Sequence, residues 1–148
     1  MDKMIGILVS GHIHYATGMQ SAVEAIVGKQ NAIEFIDFVP SITTEELEQL
    51  MLQSIARINT GDGVLILTDV PGGSPCNRAL FIMLQRNDIK IIAGCNLPMI
   101  TNACFERDGL SLDELVDVVI EIGNQSIKDM HAELKNLETC APVYEDEL

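Results

Sequence analysis

The sequence predicts an α/β fold, an open and mostly parallel four-stranded sheet with helices on both faces. Three observations carry that prediction. Short apolar runs alternate with segments of helical period, strand then helix four times over, which implies right-handed crossovers between parallel strands. The run Gly63 to Thr68 (GVLILT) is apolar until its last residue, as expected of a strand covered on both faces. A chain of 148 residues with 47% apolar and 21% charged content suits one compact domain with a single well-buried core.

Met4 to Val9 (MIGILV) reads as the first buried strand. From Ala16 to Val27 the apolar positions Met19, Ala22, Val23 and Ile26 fall at helical spacing, and Gly28 is a natural stop. Ala32 to Asp37 forms the second strand. Thr43 and Glu46 have the spacing of a capping box, and Leu47, Leu50, Met51, Ile55 and Ile58 continue it as an apolar stripe until Asn59 and Gly61. The third strand ends at Asp69. Ser74 as N-cap, with Pro75 at the first helical position, starts a helix to about Arg86, and Ile89 to Ala93 makes the fourth strand. Asn96 and Pro98 repeat that start signal for a short helix. Ser111 and Glu114 form another capping box, before a helix expected to continue to about Leu134.

Charge and cysteines narrow the partners. Nine basic against 22 acidic residues give a net charge of −13, which is poor electrostatics for binding nucleic acid or anionic lipid. Residues 129 to 148 hold six of the acids and one lysine, so the tail is the most acidic part. No run reaches the roughly 18 apolar residues of a membrane span, and the N-terminus lacks the features of a signal peptide. A cytoplasmic protein without direct membrane insertion is expected. Cys76, Cys95, Cys104 and Cys140 are widely spaced, which favours reduced thiols over disulfides or a zinc ribbon.

In an open parallel sheet the ligand crevice lies at the carboxyl ends of the strands. Two of the three histidines sit there, in the turn Ser10-Gly11-His12-Ile13-His14-Tyr15. A neutral imidazole is a competent nucleophile, base or metal ligand near pH 7. The turn after the third strand reads Thr68-Asp69-Val70-Pro71-Gly72-Gly73-Ser74-Pro75. Its carboxylate could fix the tautomer of a histidine, its glycines let the backbone approach an anion, and Ser74 stands at a helix start that favours phosphate. The pattern describes an imidazole nucleophile facing an anion cradle. A second arrangement, His12 and His14 with Asp69 as ligands of a metal-dependent hydrolase, has no further His or Cys at a suitable strand end. Neither G-x-G-x-x-G nor G-x-x-x-x-G-K-S/T occurs, so nucleotide binding has no motif support. Cys76 reads as core packing, and Asp37 as a solvated turn residue. No metal and no cofactor is called for.

GHIHYATGM after the MIGILV strand, then IDFVP, TDVPGGSPCNRA and AGCNLPM, in this order and spacing, resemble the IIA domain of the mannose family of the bacterial phosphoenolpyruvate-dependent sugar phosphotransferase system. The resemblance covers residues 4 to 130. It implies a sheet order of 2-1-3-4, a homodimer that exchanges a C-terminal antiparallel strand, and a IIA phosphotransferase domain over residues 1-134 followed by an acidic tail at 135-148. It implies that His12 takes a phosphoryl group from the phosphocarrier HPr and passes it to a IIB partner for sugar uptake. Asp69 would orient that histidine, and Gly72, Gly73 and Ser74 would face the phosphate. A non-catalytic regulatory module of the same fold is the other reading in this family. The sugar stays open among mannose, sorbose, N-acetylgalactosamine and others. Ile13 stands where the family usually has glycine, and Cys76 where phenylalanine is common.

Overall fold

A computed structural model describes residues 3–140, with side chains as far as 137. The elements run β1 (Gly6–His12), α1 (Tyr15–Val27), β2 (Ile33–Phe38), α2 (Thr44–Ile58), β3 (Val64–Thr68), α3 (Ser74–Leu84), β4 (Ile89–Ile92), α4 (Leu97–Glu106), α5 (Leu112–Gln125) and α6 (Met130–Cys140). The strands form one parallel sheet in the order β2-β1-β3-β4. Among the described residues no antiparallel strand joins it, and the acidic residues 141–148 lie outside them.

The period of two along each strand sorts its side chains into two cores. Ile7, Val9, Leu65 and Leu67 face α1, α4 and α5, where Val23, Ile100, Leu115 and Val119 are buried. Leu8, Val64 and Ile66 face α2 and α3, against Leu47, Met51, Ile55 and Ala79. Strands buried on both faces need apolar residues at every position, which is why GVLILT shows no alternation. The capping boxes at Thr43/Glu46 and Ser111/Glu114 both form, each satisfying otherwise orphaned N–H groups at a helix start. Cys76, Cys95 and Cys104 are free and buried, while the Cys140 side chain lies outside the described ones.

Element ends shift from the sequence reading by a residue or two in several places, and three of the differences have a clear local reason. β1 runs on to His12, because Gly11 and His12 pair with Asp37 and Phe38 of β2. Gly73, not Ser74, is the N-cap of α3, so Ser74 is the first helical residue. The last helix does not continue to Leu134 but breaks between α5 and α6. Ser126 ends α5 by donating its hydroxyl to the Gly123 carbonyl at 3.0 Å, and the Asn96 side-chain amide reaches the same carbonyl at 3.4 Å. Asp129 then starts α6 by accepting from the His131 N–H at 3.0 Å.

Arg107 closes the opposite end of the sheet. Only 3% exposed, it donates from Nη1 to the carbonyls of Ile5 and Ala32, both at 3.1 Å, and from Nη2 to Asn31 at 2.5 Å. Burial holds its pKa below the ordinary arginine value. The clamp binds the Ala32 carbonyl, which also accepts the Ile7 N–H, at the entry of β2 beside β1, where Ala32 lies in the left-handed region at φ 52°.

Candidate active site

β1 is a central strand, flanked by β2 and β3, and its last residue His12 emerges between the ends of both. Asp69 directly follows β3. Its Oδ2 lies 2.8 Å from Nδ1 of His12 and accepts the His12 backbone N–H at the same distance. One carboxylate oxygen therefore anchors both the main chain and the ring of a single residue. Burial works to raise the Asp69 pKa, but the bonds from the His12 N–H and ring outweigh it and hold the carboxyl below the ordinary aspartate value. A carboxylate can only accept. Nδ1 of a neutral His12 ring therefore carries the hydrogen, and Nε2 keeps its lone pair.

The other edge of the ring faces the start of α3. A Cβ added to Gly73 would stand 2.7 Å from Cε1 and 3.5 Å from Nε2 of His12, so only glycine lets the helix start this close. The first-turn N–H groups of a helix have no intrahelical acceptor, and the helix dipole favours an anion there. Ser74 brings its hydroxyl to the same turn. Gly72 makes the preceding turn at φ 82°, and its carbonyl is held by the Asn77 side-chain amide at 3.0 Å. The Phe38 ring meets the His12 ring edge-on, with centroids 6.0 Å apart. Below, a Cβ on Gly11 would overlap the Tyr15 ring, whose hydroxyl donates to the Cys95 carbonyl at 2.7 Å. Burial pushes the Tyr15 hydroxyl up, and the Cys95 thiol to about 12, so neither ionises in the neutral range.

Asp37 is not the solvated turn residue that the sequence suggests. Its Oδ1 accepts the Thr17 N–H at 3.0 Å, its Oδ2 accepts the Thr17 hydroxyl at 2.6 Å, and Nδ1 of His14 lies 3.2 Å from Oδ2. Burial raises its pKa and these bonds outweigh the effect, leaving it lowered. The available signal was its place at the end of the neighbouring strand, opposite the first turn of α1. The two histidines thus turn to different carboxylates, His12 to Asp69 and His14 to Asp37. Among the described residues no group of three or more His, Cys, Asp or Glu side chains converges as a metal site, so His14 does not join His12 and Asp69. Arg78, the first basic residue after the Asp69 turn, is directed to α2. It lies 3.8 Å from Glu45 and 3.6 Å from Glu48, donates to the Thr44 hydroxyl at 3.1 Å, and stacks over Phe81.

A parallel α/β sheet that presents an imidazole, backed by a carboxylate, to a helix N-terminus is an arrangement able to bring a ring nitrogen to an anion. The particular family follows from comparison with known proteins. The chain belongs to the family described as the PTS system fructose IIA component, whose model matches residues 6–120. It is 35% identical over 139 residues to the mannose-specific EIIAB component of Escherichia coli K12, covering 93% of this chain and 42% of that protein. The chain thus spans less than half the length of these mannose-specific relatives. A sorbose-specific EIIA component from Lacticaseibacillus casei is 30% identical, with 78% of this chain and 83% of that protein covered. Among solved structures, the phosphotransferase system component EIIA from Streptococcus agalactiae superposes with a TM-score of 0.81 at 28% identity, over 87% of this chain and 99% of that one. No helix among the described residues is long and apolar enough to cross a membrane.

Proposed function

We propose that this protein is a cytoplasmic phosphoryl carrier that accepts a phosphoryl group from phosphorylated HPr on Nε2 of His12 and passes it to a IIB partner for sugar uptake. As the Nε2–P bond forms, the donor's bond to phosphorus breaks. Nδ1 keeps its hydrogen, and the ionised Asp69 balances the positive charge gained by the ring. In-line phosphoryl transfer depends mainly on positioning and charge stabilisation. Gly73, Ser74 and the α3 dipole face the incoming oxygens. One observation carries the reading: Asp69 occupies Nδ1 at 2.8 Å while the opposite ring edge lies against the backbone of Gly73.

The test is to mix the protein with phosphoenolpyruvate, enzyme I and HPr and to measure its mass. The wild type is expected to gain one acid-labile phosphoryl group. His14→Ala should retain it at the active site, and His12→Ala should lose transfer to IIB. No added phosphate on the wild type, or loss in the His14 variant alone, would overturn the assignment.

The same reading includes a homodimer. Two features support it: β4 leaves one sheet edge open, and the exposed side chains Ile127, Met130, Leu134 and Leu137 recur at spacings of three and four. Sedimentation equilibrium is expected to give twice the 16.2 kDa chain mass, and a monomer at micromolar concentration would refute the dimer.

A further inference from the structure

Each member of the His12–Asp69 pair is followed in the chain by an exposed apolar residue. Ile13 comes after His12 and is 49% exposed, and Val70 comes after Asp69 and is 55% exposed. Neither is part of the two cores or of the apolar groups packed against them. Ile13 also stands at φ 54°, in the left-handed region that a β-branched side chain rarely enters. Ala32 takes φ 52° with only a methyl side chain, whereas Ile13 carries a β-branched one there. The Ile13 N–H donates to the Phe38 carbonyl at 2.8 Å, a bond that any residue except proline could make, and glycine would take this φ without strain. Strain that the fold does not require is a reason to look for a role outside it.

We propose that Ile13 and Val70 form an apolar docking contact for the protein that donates the phosphoryl group. This rests on the function proposed above. In-line transfer brings the reacting atoms to roughly 3–3.5 Å, so the donor's surface must cover the residues on either side of the pair. The donor arrives carrying a phosphoryl dianion toward a chain of net charge −13, and no Lys or Arg lies between Ser10 and Thr17 or between Asp69 and Asn77. Charge attraction at the reacting atoms is weak, and desolvation of two apolar side chains supplies affinity without a cation. The left-handed backbone is what carries the Ile13 side chain outward at this point.

The measurement is the steady-state rate of phosphorylation against the concentration of phosphorylated HPr, for the wild type, Ile13→Asn and Val70→Asn. Asparagine tolerates the left-handed region and is polar. Burying the exposed half of an isoleucine or valine corresponds to about a five-fold change in affinity. Each variant is therefore expected to raise KM for the donor about five-fold, with a smaller effect on kcat and on KM for the IIB acceptor. Ile13→Gly should melt no lower than the wild type and show the same rise in donor KM. An unchanged donor KM, an effect lying mainly in kcat, or a larger change for IIB than for HPr would overturn the inference. If phosphorylated HPr fails to modify the wild type, the proposed function falls with it. Normal transfer with unaffected KM in the variants removes the docking contact alone.

Discussion

Asp69→Asn is expected to slow phosphorylation of His12 about 100-fold while leaving the fold intact. The size follows from what the substitution keeps and what it removes. The His12 backbone N–H still needs an acceptor, so the amide oxygen stays turned toward it and can also accept from Nδ1. The tautomer therefore survives, and the loss is one of charge. Bonds to an ionised partner are roughly twice as strong as neutral ones, and about 2.7 kcal/mol in the transition state is about 100-fold in rate. Rapid-quench phosphorylation alongside circular dichroism checks it, and a wild-type rate would count against the charge-balancing role of Asp69. The pH dependence has a definite sign. The folded pKa of Asp69 is lowered, so its contribution to stability is fully present above the ordinary aspartate value of 3.8 and is lost as pH falls through the lower folded value. Acid titration should show the wild type losing its advantage over Asp69→Asn only below about pH 4.

Arg107→Met should destabilise the protein by about 2 kcal/mol. Methionine matches much of the arginine stem, so the cost comes from the head group. Its removal strands the buried Ile5 carbonyl, a loss of about 1–3 kcal/mol, and takes one donor from the part-buried carbonyls of Ala32, which keeps the Ile7 N–H, and of Asn31. Relief of burying a charge offsets part of that sum. Chemical denaturation with an unchanged slope and a lower midpoint would show it. A loss below about 1 kcal/mol would mean that water replaces the guanidinium.

The architecture was legible because its signals are local. Capping boxes, strand-length apolar runs and helical stripes each depend on residues within a few positions of one another, and they give the element order directly. The sheet order came from the resemblance, since nothing in composition says that β1 lies between β2 and β3. His12 and Asp69 could be placed at neighbouring strand ends, and the structure brings them to 2.8 Å. What escaped depends on distance in the chain. Nothing in Glu106-Arg107-Asp108-Gly109 signals the clamp, because the three carbonyl partners of Arg107 lie 75 to 102 residues away. Asp37 likewise looked like a turn residue until Thr17 and His14 came into its reach. The break at Ser126 was missed because the apolar pattern continues through Ile127, Met130 and Leu134, and only the Asn96 amide from α4 reveals the stop.

The engagement of Arg78 with Glu45, Glu48 and Phe81 bears on the energetics of a hand-off. An intermediary must release its cargo as readily as it receives it. A guanidinium gripping the phosphoryl oxygens would deepen the well in which the loaded state sits, and the next step would have to climb out of it. On the proposed carrier role, Arg78, tied to α2, leaves a phosphorylated His12 shallowly held and its group-transfer potential high. Downstream flux then depends on what the receiving protein brings, and the carrier stays near the midpoint of the relay.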